Sequence, residues 1–446
     1  DTAPYLKEWR DKYQGQAAAI LRPACVEQVI GIVEIAKTHK VALVPQGGNT
    51  GLVGGQIAFD HQRQFVVNLS RMNRIRALDA DGYTITVKAG AVLANVQAAA
   101  ENVDRLFPLS LGSQGSCQIG GTISSNAGGT SALSYGVMRD LVLGLEVVLP
   151  DGSLYQGLNR LKKDNTGYDL KNLFIGAEGT LGIVTAAVLK LFPQPRSQQV
   201  AFVAFPDLEA VARFYTRAQS CCGRMLTAFE IIPHIGITFL EKHNTDIHPP
   251  VKNIYPWYGL IEISSGQSTD HASTMMMTLV EEGFLSDELS DGTMASSQAQ
   301  QHQLWHMRHA LSECQKPEGG SIKHDISVPV ASLPAFLTEA SKAAIALVPD
   351  CRPVPFGHWG DGNIHFNISQ PVGMAREKFL DQWEAMNECI HAIVTAYGGS
   401  ISAEHGIGVM KRQALAKVKD PVALALMHQI KTMLDPHHLI NPGKVL

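Results

Sequence analysis

The pattern of apolar and polar positions predicts short strands and amphipathic helices in alternation along the whole chain. Short apolar runs between turn-forming residues indicate strands, and apolar residues every three or four positions indicate helices. In the first half the predicted strands are residues 41–44, 65–69, 84–89 and 143–149, and the predicted helices are 26–38 and 92–102. After residue 197 the predicted strands are 200–205, 258–263 and 322–328, and the predicted helices are 208–218, 272–282, 333–345, 374–397 and 422–434.

Breaks in this pattern divide the chain into two predicted domains and a C-terminal segment. The segment Pro193-Gln194-Pro195 is typical of a linker because proline interrupts both helices and strands. We therefore predict a first domain over residues 1–195, an α+β domain over 196–400, and a C-terminal segment over 401–446. Within that segment, residues 435–446 are rich in proline and histidine and predict a loop.

Composition narrows the class of protein. Of the 446 residues, 45% are hydrophobic and 17% are charged, which suits a chain with large buried cores and excludes a disordered one. Lys plus Arg is 37 and Asp plus Glu is 41, so the net charge is −4, without the basic excess that is usual in nucleic-acid binders. No uninterrupted apolar run approaches the roughly 18 residues of a membrane span.

The cysteines and the N-terminal residues bear on location. Seven cysteines without a CxxC pair indicate reduced, unpaired thiols. Residues 1–19 show neither a signal-peptide core nor a transit pattern. These features predict a soluble enzyme of a bacterial cytoplasm, or of the mitochondrial matrix if a transit peptide has been removed.

Glycine is concentrated in three clusters, residues 47–55, 112–129 and 176–182. The first follows a predicted strand, and glycine there would let backbone N–H groups approach an anion such as a pyrophosphate. A tight turn without a ligand explains one such cluster equally well. The second cluster is long, and long structureless loops are usually functional or disordered. Neither GxGxxG nor GxxxxGK[ST] occurs, which disfavours a standard dinucleotide fold or a P-loop.

Together the three clusters resemble the FAD domain of the vanillyl-alcohol-oxidase (PCMH) family, whose motifs PxGGxT, GGTxSxNAGG and GxEGTLGIVT occur here in order within residues 15–195. The resemblance implies that the first loop wraps the FAD pyrophosphate and that the other clusters line adenosine and flavin. The implied cofactor-binding residues are Pro45, Gly47, Gly48, Asn49, Thr50, Gly51, Leu52, Gly112, Ser113, Gly120, Gly121, Thr122, Ser125, Asn126, Gly129, Gly182 and Ile183. Many relatives tether FAD through a histidine in the first loop; this loop has Asn49 and no histidine, so FAD is expected to be non-covalent.

Histidines and a carboxylate form a second group of candidate residues. His358 and His365 are separated by a turn-like Gly-Asp-Gly, and the pair Glu404-His405 follows later in the chain. Each histidine taken singly is more often structural, but two histidines and a carboxylate beside glycines suit a divalent metal, whether Zn²⁺, Fe²⁺ or Mn²⁺. Adjacent side chains of an extended segment point opposite ways, so Glu404 as a ligand and His405 as a base is one plausible division.

These pieces resemble the FAD-linked D-2-hydroxy-acid dehydrogenases, through GHxGDGNxH, EHGxG and a terminal DPxxxxNPGK that contains Asn441. The resemblance implies a PCMH-type FAD domain of two α/β subdomains, an α+β substrate domain with an antiparallel sheet, and a helical C-terminal segment that completes the active site. It also implies the following roles: His358, His365 and Glu404 as metal ligands, His405 as catalytic base, Asn367 as a substrate or flavin contact, with substrate favoured, and Asn441 as a cofactor contact.

The substrate is suggested by Arg308, Ser312 and Lys323. Arg308 and Ser312 share a helical face at i, i+4, and arginine can bind a carboxylate through two parallel hydrogen bonds. Ordinary surface cations are the alternative for Arg308 and Lys323. The spacing is similar to that of D-2-hydroxyglutarate dehydrogenases, except that Ser312 stands where threonine is expected, and Lys323 favours a second carboxylate on the substrate.

The expected reaction is oxidation of D-2-hydroxyglutarate, and also of D-malate, to the 2-oxo acid by hydride transfer to flavin N5, with Zn²⁺ as the favoured metal. The alternatives are D-lactate or glycolate as substrate, a catalytically silent flavin-binding subunit of a larger complex, and an oxygen-using oxidase. The expected partners are an electron-transfer flavoprotein or a quinone as electron acceptor, and a second copy in a homodimer.

Overall fold

Strands and helices alternate along the computed structural model, which describes residues 2–244 and 246–446. The strands are β1 (Gln16–Leu21), β2 (Ala42–Gln46), β3 (Phe59–Asn68), β4 (Ile75–Asp79), β5 (Thr84–Lys88), β6 (Arg105–Leu106), β7 (Val142–Val148), β8 (Leu154–Gly157), β9 (Ile183–Lys190), β10 (Phe192–Pro193), β11 (Ser197–Phe205), β12 (Leu226–Pro233), β13 (Trp257–Ser265), β14 (Asp291–Met294), β15 (Ser321–Ser327), β16 (Arg352–His358) and β17 (Asn363–Ser369). The helices are α1 (Ala3–Leu6), α2 (Val26–His39), α3 (Leu93–Glu101), α4 (Ile119–Ser124), α5 (Ala132–Tyr135), α6 (Met138–Leu141), α7 (Lys171–Phe174), α8 (Leu208–Cys222), α9 (His234–His243), α10 (His271–Leu285), α11 (Gln298–Cys314), α12 (Leu333–Leu347), α13 (Arg376–Leu380), α14 (Trp383–Ala396), α15 (Arg412–Val418) and α16 (Pro421–Leu434). All seven cysteines are free thiols.

One predicted helix is wrong in its extent. Residues 374–397 form α13 and α14 rather than one continuous helix. The N–H of Gln382 donates to the carbonyl of Phe379, three residues back, and Gln382 has a ψ of 4°. This tight 3₁₀-type closure ends α13 and redirects the chain. The run of apolar positions continues across the break, so periodicity alone did not reveal it.

The chain divides into two units. Unit 1 contains the residues up to Gly129, residues 135–194 and Glu404–Leu446; unit 2 contains Thr130–Ser134 and Pro195–Ala403. Unit 1 is therefore built from segments that lie on both sides of unit 2 in the sequence.

Unit 1 contains a three-stranded parallel sheet in the order β1-β3-β2 and a five-stranded antiparallel sheet in the order β4-β5-β9-β7-β8. β7 is buried along its whole length, and its one charged residue, Glu146, accepts two hydrogen bonds from the Arg76 guanidinium. On α2, Val29, Val33 and Ala36 follow helical spacing and pack in one core with Leu43 of β2. Leu43 also pairs with Ile440, so the last segment of the chain adds to the edge of the parallel sheet.

Unit 2 is built around a seven-stranded antiparallel sheet in the order β14-β11-β13-β12-β16-β17-β15. One face packs against α9 and α11, in a core that includes Phe202, Leu260 and Phe356. On the other face, Phe214 of α8 lies 5.8 Å from Phe205, between ring centroids. The predicted α+β class, with an antiparallel sheet after residue 197 and a helical C-terminal segment, is confirmed.

Within the described part of the chain, one stretch is long and apolar enough to cross a membrane by length and composition alone. It is Val330–Leu347, with a mean hydropathy of 1.2 over 18 residues. Phe336, Leu337 and Ala340 of this stretch are buried, and the core helix of a soluble protein passes the same test. A single stretch of this kind is weak evidence for a membrane span.

Candidate active site

The three glycine clusters, far apart in the sequence, lie side by side in unit 1. A Cβ on Gly48 would lie 2.0 Å from the carbonyl oxygen of Ser116, so the first cluster packs directly on the second. The N–H of Glu178 donates to the carbonyl of Ser124 at 2.7 Å, which joins the third cluster to the second. A Cβ on Gly179 would lie 3.3 Å from the Pro45 ring, which joins the third to the first. Glycine is required where backbones approach this closely.

The polar groups of this assembly fit an extended anionic cofactor. None of the backbone N–H groups of residues 48–52 donates to another described residue. The buried Oδ1 of Asn49 and Oε1 of Gln118 have no hydrogen-bond partner either, and as acceptors they suit hydroxyl or N–H groups of a cofactor rather than its phosphate oxygens. Beside Gly112 and Gly121 a Cβ would meet nothing within 4 Å, so there is space on that side of the second cluster. Free N–H groups in a glycine loop are the usual cradle for a pyrophosphate.

Several predicted cofactor-binding residues have structural contacts of their own. The hydroxyl of Thr122 donates to the carbonyl of Ile119, and that of Ser125 to the carbonyl of Gly121. Oδ1 of Asn126 accepts the N–H of Arg139. These three polar groups stabilise the short helix α4 and the turn that follows it, which sets the shape of the second cluster.

The C-terminal segment is fastened to the third glycine cluster. The Glu178 carboxylate accepts the N–H groups of Ile407 at 2.6 Å and Gly408 at 2.8 Å. The Asn441 side chain donates to the Glu178 carbonyl at 2.8 Å, and the Lys431 ammonium donates to the Thr180 carbonyl at 2.7 Å. Burial raises the pKa of Glu178, and the two N–H donors offset only part of that effect.

Glu404 and His405 lie next to these contacts in unit 1. The backbone bends at residues 403–405, and a carboxylate oxygen of Glu404 and a ring nitrogen of His405 lie within 4.8 Å of each other. The expectation that an extended backbone directs the two side chains apart therefore does not hold here. A Cβ on Gly128 would lie 3.6 Å from Oε1 of Glu404, so this carboxylate reaches the second glycine cluster.

In unit 2 the candidate residues share one face of the seven-stranded sheet. Strand register pairs Lys323 with Asn367 and Asp325 with His365 on β15 and β17. Directly opposite residues in an antiparallel pair project to the same face, as do alternate residues along one strand. One ring nitrogen of His358 and one of His365 lie within 4.8 Å, and the two ring centroids are 5.4 Å apart. The sheet thus brings both predicted metal-ligating histidines together.

Glu230 of β12 lies between Arg308 and His358. Its Oε2 accepts from Nε of Arg308 at 2.6 Å, and its Oε1 lies 2.5 Å from Nδ1 of His358. The Glu230 and Arg308 side chains are 1% and 6% exposed, so this is a buried ion pair. Burial alone would raise the pKa of Glu230, but the charges of Arg308 and His358 outweigh it and hold that pKa well below its usual range.

The predicted substrate-binding residues occupy different environments. Arg308 is buried, with its guanidinium carbon 4.9 Å from the centre of the Phe356 ring, so the alternative of an ordinary surface cation is wrong for it. Lys323 is half-buried, and Ser312, one turn after Arg308 on α11, is exposed. Asn367 is buried, and its Nδ2 donates to Oε1 of Gln315 at 3.0 Å.

Three further polar residues lie at this sheet face and were not predicted from the sequence. They are Glu230, Asp325 and Gln315, each 2% exposed or less. A usable signal existed for Glu230, because it is the one charged residue in the otherwise apolar or neutral run Leu226–Pro233. A carboxylate in the middle of a fully buried strand is expected to have a charged or hydrogen-bonding partner.

Comparisons with known protein families match both units. The family described as FAD linked oxidases, C-terminal domain, matches residues 194–445. The chain belongs to this FAD-linked oxidase family. A second family, described as FAD binding domain, matches residues 17–157, which contain the first two glycine clusters. FAD as a cofactor is thereby confirmed for this member of the family, in agreement with the fit of the glycine clusters.

Relatives within the FAD-linked oxidase family are named for 2-hydroxy acids. D-2-hydroxyglutarate dehydrogenase, mitochondrial, from Danio rerio is 38% identical and covers 98% of this chain and 80% of that protein. D-2-hydroxyglutarate dehydrogenase from Xanthomonas citri pv. viticola is 36% identical, over 100% of this chain and 92% of the relative. A Schizosaccharomyces pombe mitochondrial protein, provisionally named as a D-lactate dehydrogenase, is 36% identical over 98% of this chain and 83% of its own length.

Among solved structures, p-cresol methylhydroxylase with bound substrate has the same fold. Its TM-score is 0.74 at 18% identity, over 99% of this chain and 92% of that one. This likeness confirms the predicted PCMH-type fold and, at such low identity, only the fold. With the relatives, the predicted class, an FAD-dependent 2-hydroxy-acid dehydrogenase, is confirmed. The relatives include bacterial and mitochondrial proteins.

Proposed function

We propose that this chain oxidises D-2-hydroxyglutarate to the 2-oxo acid, with D-malate as a second substrate. The observation that carries the proposal is that a buried guanidinium, Arg308, and the cationic Lys323 both lie at the face of the unit 2 sheet that carries His358 and His365. Two cations suit a substrate with two carboxylates, because each cation can bind one of them. A monoacid has a single carboxylate and needs only one cation in addition to a metal. The names of the relatives from Danio rerio and Xanthomonas citri support the same substrate.

A divalent metal, with Zn²⁺ favoured, is part of the proposal. His358 and His365 offer ring nitrogens within 4.8 Å of each other, and neutral imidazole is a common zinc ligand. The resemblance of Glu404-His405-Gly406-Ile407-Gly408 to the EHGxG motif of FAD-linked D-2-hydroxy-acid dehydrogenases supports Glu404 as the third ligand.

Each side chain then has a separate role. Arg308, Ser312, Lys323 and Asn367 hold the substrate carboxylates and fix the orientation of C2. His405 takes the proton of the C2 hydroxyl, because imidazole titrates near neutral pH. Bound FAD supplies the hydride acceptor, and the metal supplies Lewis acidity at the hydroxyl.

Anaerobic bleaching of the flavin band tests the proposal. We expect fast bleaching by D-2-hydroxyglutarate and D-malate, loss of bleaching with a chelator, and recovery with Zn²⁺. Bleaching by D-lactate or glycolate alone would reject the diacid and favour the second candidate, which the Schizosaccharomyces pombe relative supports. No bleaching by any acid would favour a silent flavin-binding subunit, and peroxide release in air would indicate an oxidase.

The variant His405→Ala tests the proposed role of His405 as the catalytic base. Because loss of a general base typically slows a reaction by about 10²–10⁴-fold, flavin reduction by D-2-hydroxyglutarate should fall by at least about 10²-fold while FAD stays bound. His428→Ala, at an exposed position of α16, is the matched control and should reduce flavin at the wild-type rate. Turnover retained in His405→Ala would reject its role as the base.

The remaining assignments concern partners and location. We assign FAD to unit 1 and substrate recognition to unit 2. The proposed electron acceptor is an electron-transfer flavoprotein or a quinone, and the proposed assembly is a homodimer. The proposed location is a bacterial cytoplasm, or the mitochondrial matrix after removal of a transit peptide. Reoxidation assays with each acceptor and light scattering in solution test the first two.

A further inference from the structure

Glu230 connects two groups that the proposed function treats as separate. One carboxylate oxygen accepts from Arg308, the proposed substrate-binding cation, and the other lies 2.5 Å from Nδ1 of His358, a proposed metal ligand. Strand register places Glu230 directly opposite His358 on β16. Pairing of β12 in the sheet therefore fixes the position of the carboxylate, and that position determines how Arg308 and His358 are oriented.

The contact with His358 determines which ring nitrogen can bind a metal. Glu230 forms a buried ion pair with Arg308, so its Oε1, 2.5 Å from Nδ1 of His358, is the acceptor of that contact and Nδ1 carries the proton. Nε2 then carries the ring's lone pair and is the nitrogen of His358 that can bind a metal ion. A hydrogen bond from the second ring nitrogen to a carboxylate is a common way to fix the tautomer and orientation of a ligand histidine.

The contact with Arg308 has a similar effect on the substrate side. Glu230 takes the Nε–H of the guanidinium, which leaves the two terminal nitrogens for another acceptor. The Phe356 ring, 4.9 Å from the guanidinium carbon, further restricts rotation. A terminal pair of N–H groups held in one plane can bind a carboxylate through two parallel hydrogen bonds.

We propose that Glu230 is a positioning residue for both halves of the substrate site: it sets the tautomer of His358 and the direction of Arg308 through one buried carboxylate. This inference rests on the proposed function for the identity of the metal site and of the substrate. Both carboxylate oxygens of Glu230 contact protein side chains, so the role proposed for it is to position those side chains.

The test compares Glu230→Gln with Glu262→Gln in the FAD-loaded protein. Glu262 is a matched control, because it is a buried glutamate on the neighbouring strand β13 that accepts from Thr227 and Trp305. A glutamine at 230 cannot accept from both partners, since its amide nitrogen opposes one of two donors. We expect the Zn²⁺ affinity, measured by competition with a chromophoric chelator, to fall by about 10–100-fold in Glu230→Gln. Glu262→Gln should stay within about twofold of the wild type, because its two donors are outside the proposed site.

Two further readouts separate positioning from simple loss of structure. The KM for D-2-hydroxyglutarate should rise about tenfold or more in Glu230→Gln, since a misdirected Arg308 loses a charge-assisted hydrogen bond. In metal-free protein labelled with ¹⁵N-histidine, the Nδ1–H signal that disappears in His358→Ala should also be lost in Glu230→Gln. Glu230→Asp keeps the charge but draws the carboxylate back from its partners, so its Zn²⁺ affinity should lie between those of the wild type and Glu230→Gln. This variant also replaces Glu230→Gln in the test if the glutamine variant does not fold.

Wild-type Zn²⁺ affinity, KM and tautomer in both Glu230 variants would overturn the inference. An equal loss in Glu262→Gln would also overturn it, since a general effect on the sheet would then explain the result. Failure of the proposed function looks different: wild-type protein would bind no Zn²⁺ or leave the flavin oxidised with D-2-hydroxyglutarate. The tautomer measurement still tests Glu230 in that case.

Discussion

At the scale of single residues, buried carboxylates differ according to what neutralises them. Glu178 is met by two backbone N–H groups, and burial raises its pKa. Glu230 is met by a guanidinium and an imidazole, and its pKa lies below the usual range. Backbone donors carry only partial charge, whereas Arg308 is a full cation in a region of low dielectric. The same side chain is therefore easier to protonate at one position and harder at the other.

Close contact between backbones gives a prediction for Gly48. In Gly48→Ala the new Cβ would lie 2.0 Å from the Ser116 carbonyl, so the first two glycine clusters must separate. We expect weaker FAD binding, together with a loss of at least about 1–3 kcal/mol in the free energy of unfolding, which is typical of overpacking. Fluorescence titration with FAD and denaturant unfolding measure these effects.

Gly31→Ala is the matched control for Gly48→Ala. Gly31 lies within α2, and a Cβ there would meet nothing within 4 Å. Because glycine is a weaker helix former than alanine, this variant should gain about 0.5–1 kcal/mol and bind FAD normally. Equal FAD affinity in the two variants would contradict the close packing of the clusters.

At the scale of elements, the loop of residues 404–408 depends on Glu178. In Glu178→Gln one of the two N–H groups, of Ile407 or Gly408, would face an amide nitrogen instead of an oxygen. An unsatisfied buried donor costs about 1–3 kcal/mol, so the loop should open more often. Amide hydrogen exchange at Ile407 and Gly408 should become faster by about tenfold or more, while Leu43 in β2 should exchange at the wild-type rate. Unchanged protection at Ile407 and Gly408 would show that other contacts hold the loop.

At the scale of the whole molecule, Glu318 links elements of unit 2 and affects stability in acid. It accepts from Lys242 at 2.7 Å and His243 at 2.5 Å, both on α9, and from Arg352 on β16. Burial on its own would raise the pKa of Glu318, but the hydrogen bonds from Lys242, Arg352 and His243 lower it to about 2. Its side chain is 4% exposed, so these contacts are little screened by water.

The lowered pKa of Glu318 predicts how the free energy of unfolding changes at low pH. An unfolded glutamate has a pKa of about 4.3, so between that pH and 2 the unfolded chain binds a proton that the folded chain does not. The stabilisation by Glu318 is therefore present above about pH 4.3 and is lost as the pH falls through about 2. In Glu318→Gln the free energy of unfolding should be lower at pH 6 and should fall less steeply from pH 4 to 2. Equal slopes in urea unfolding series would contradict the assignment.

Much of this molecule could be predicted from its sequence, for physical reasons that differ between its parts. The buried strands of unit 1, such as β7, are mostly apolar and stand out from their neighbours. The metal-ligating candidates His358 and His365 lie around a tight turn, which keeps them close in the sequence as well as in space. Such local patterns can be recognised in the sequence without knowledge of the tertiary structure.

Contacts between distant segments could not be predicted in the same way. Glu230 and His358 meet through pairing of β12 with β16, which the chain order does not indicate. The division of residues 374–397 into two helices depends on a single tight turn at Gln382. Burial of Arg308 depends on an acidic partner from another element. In each case the deciding interaction partner lies outside the local pattern.

The interrupted construction of unit 1 has a consequence for synthesis of the chain. Residues 404–446, which carry Glu404, His405 and the contacts of Lys431 and Asn441, are translated after all of unit 2. Domains generally fold as units as they emerge from the ribosome. The part of unit 1 that is made first therefore has an unpaired sheet edge at Leu43 while the roughly two hundred residues of unit 2 are translated. Chaperone dependence during translation should be greatest in that interval.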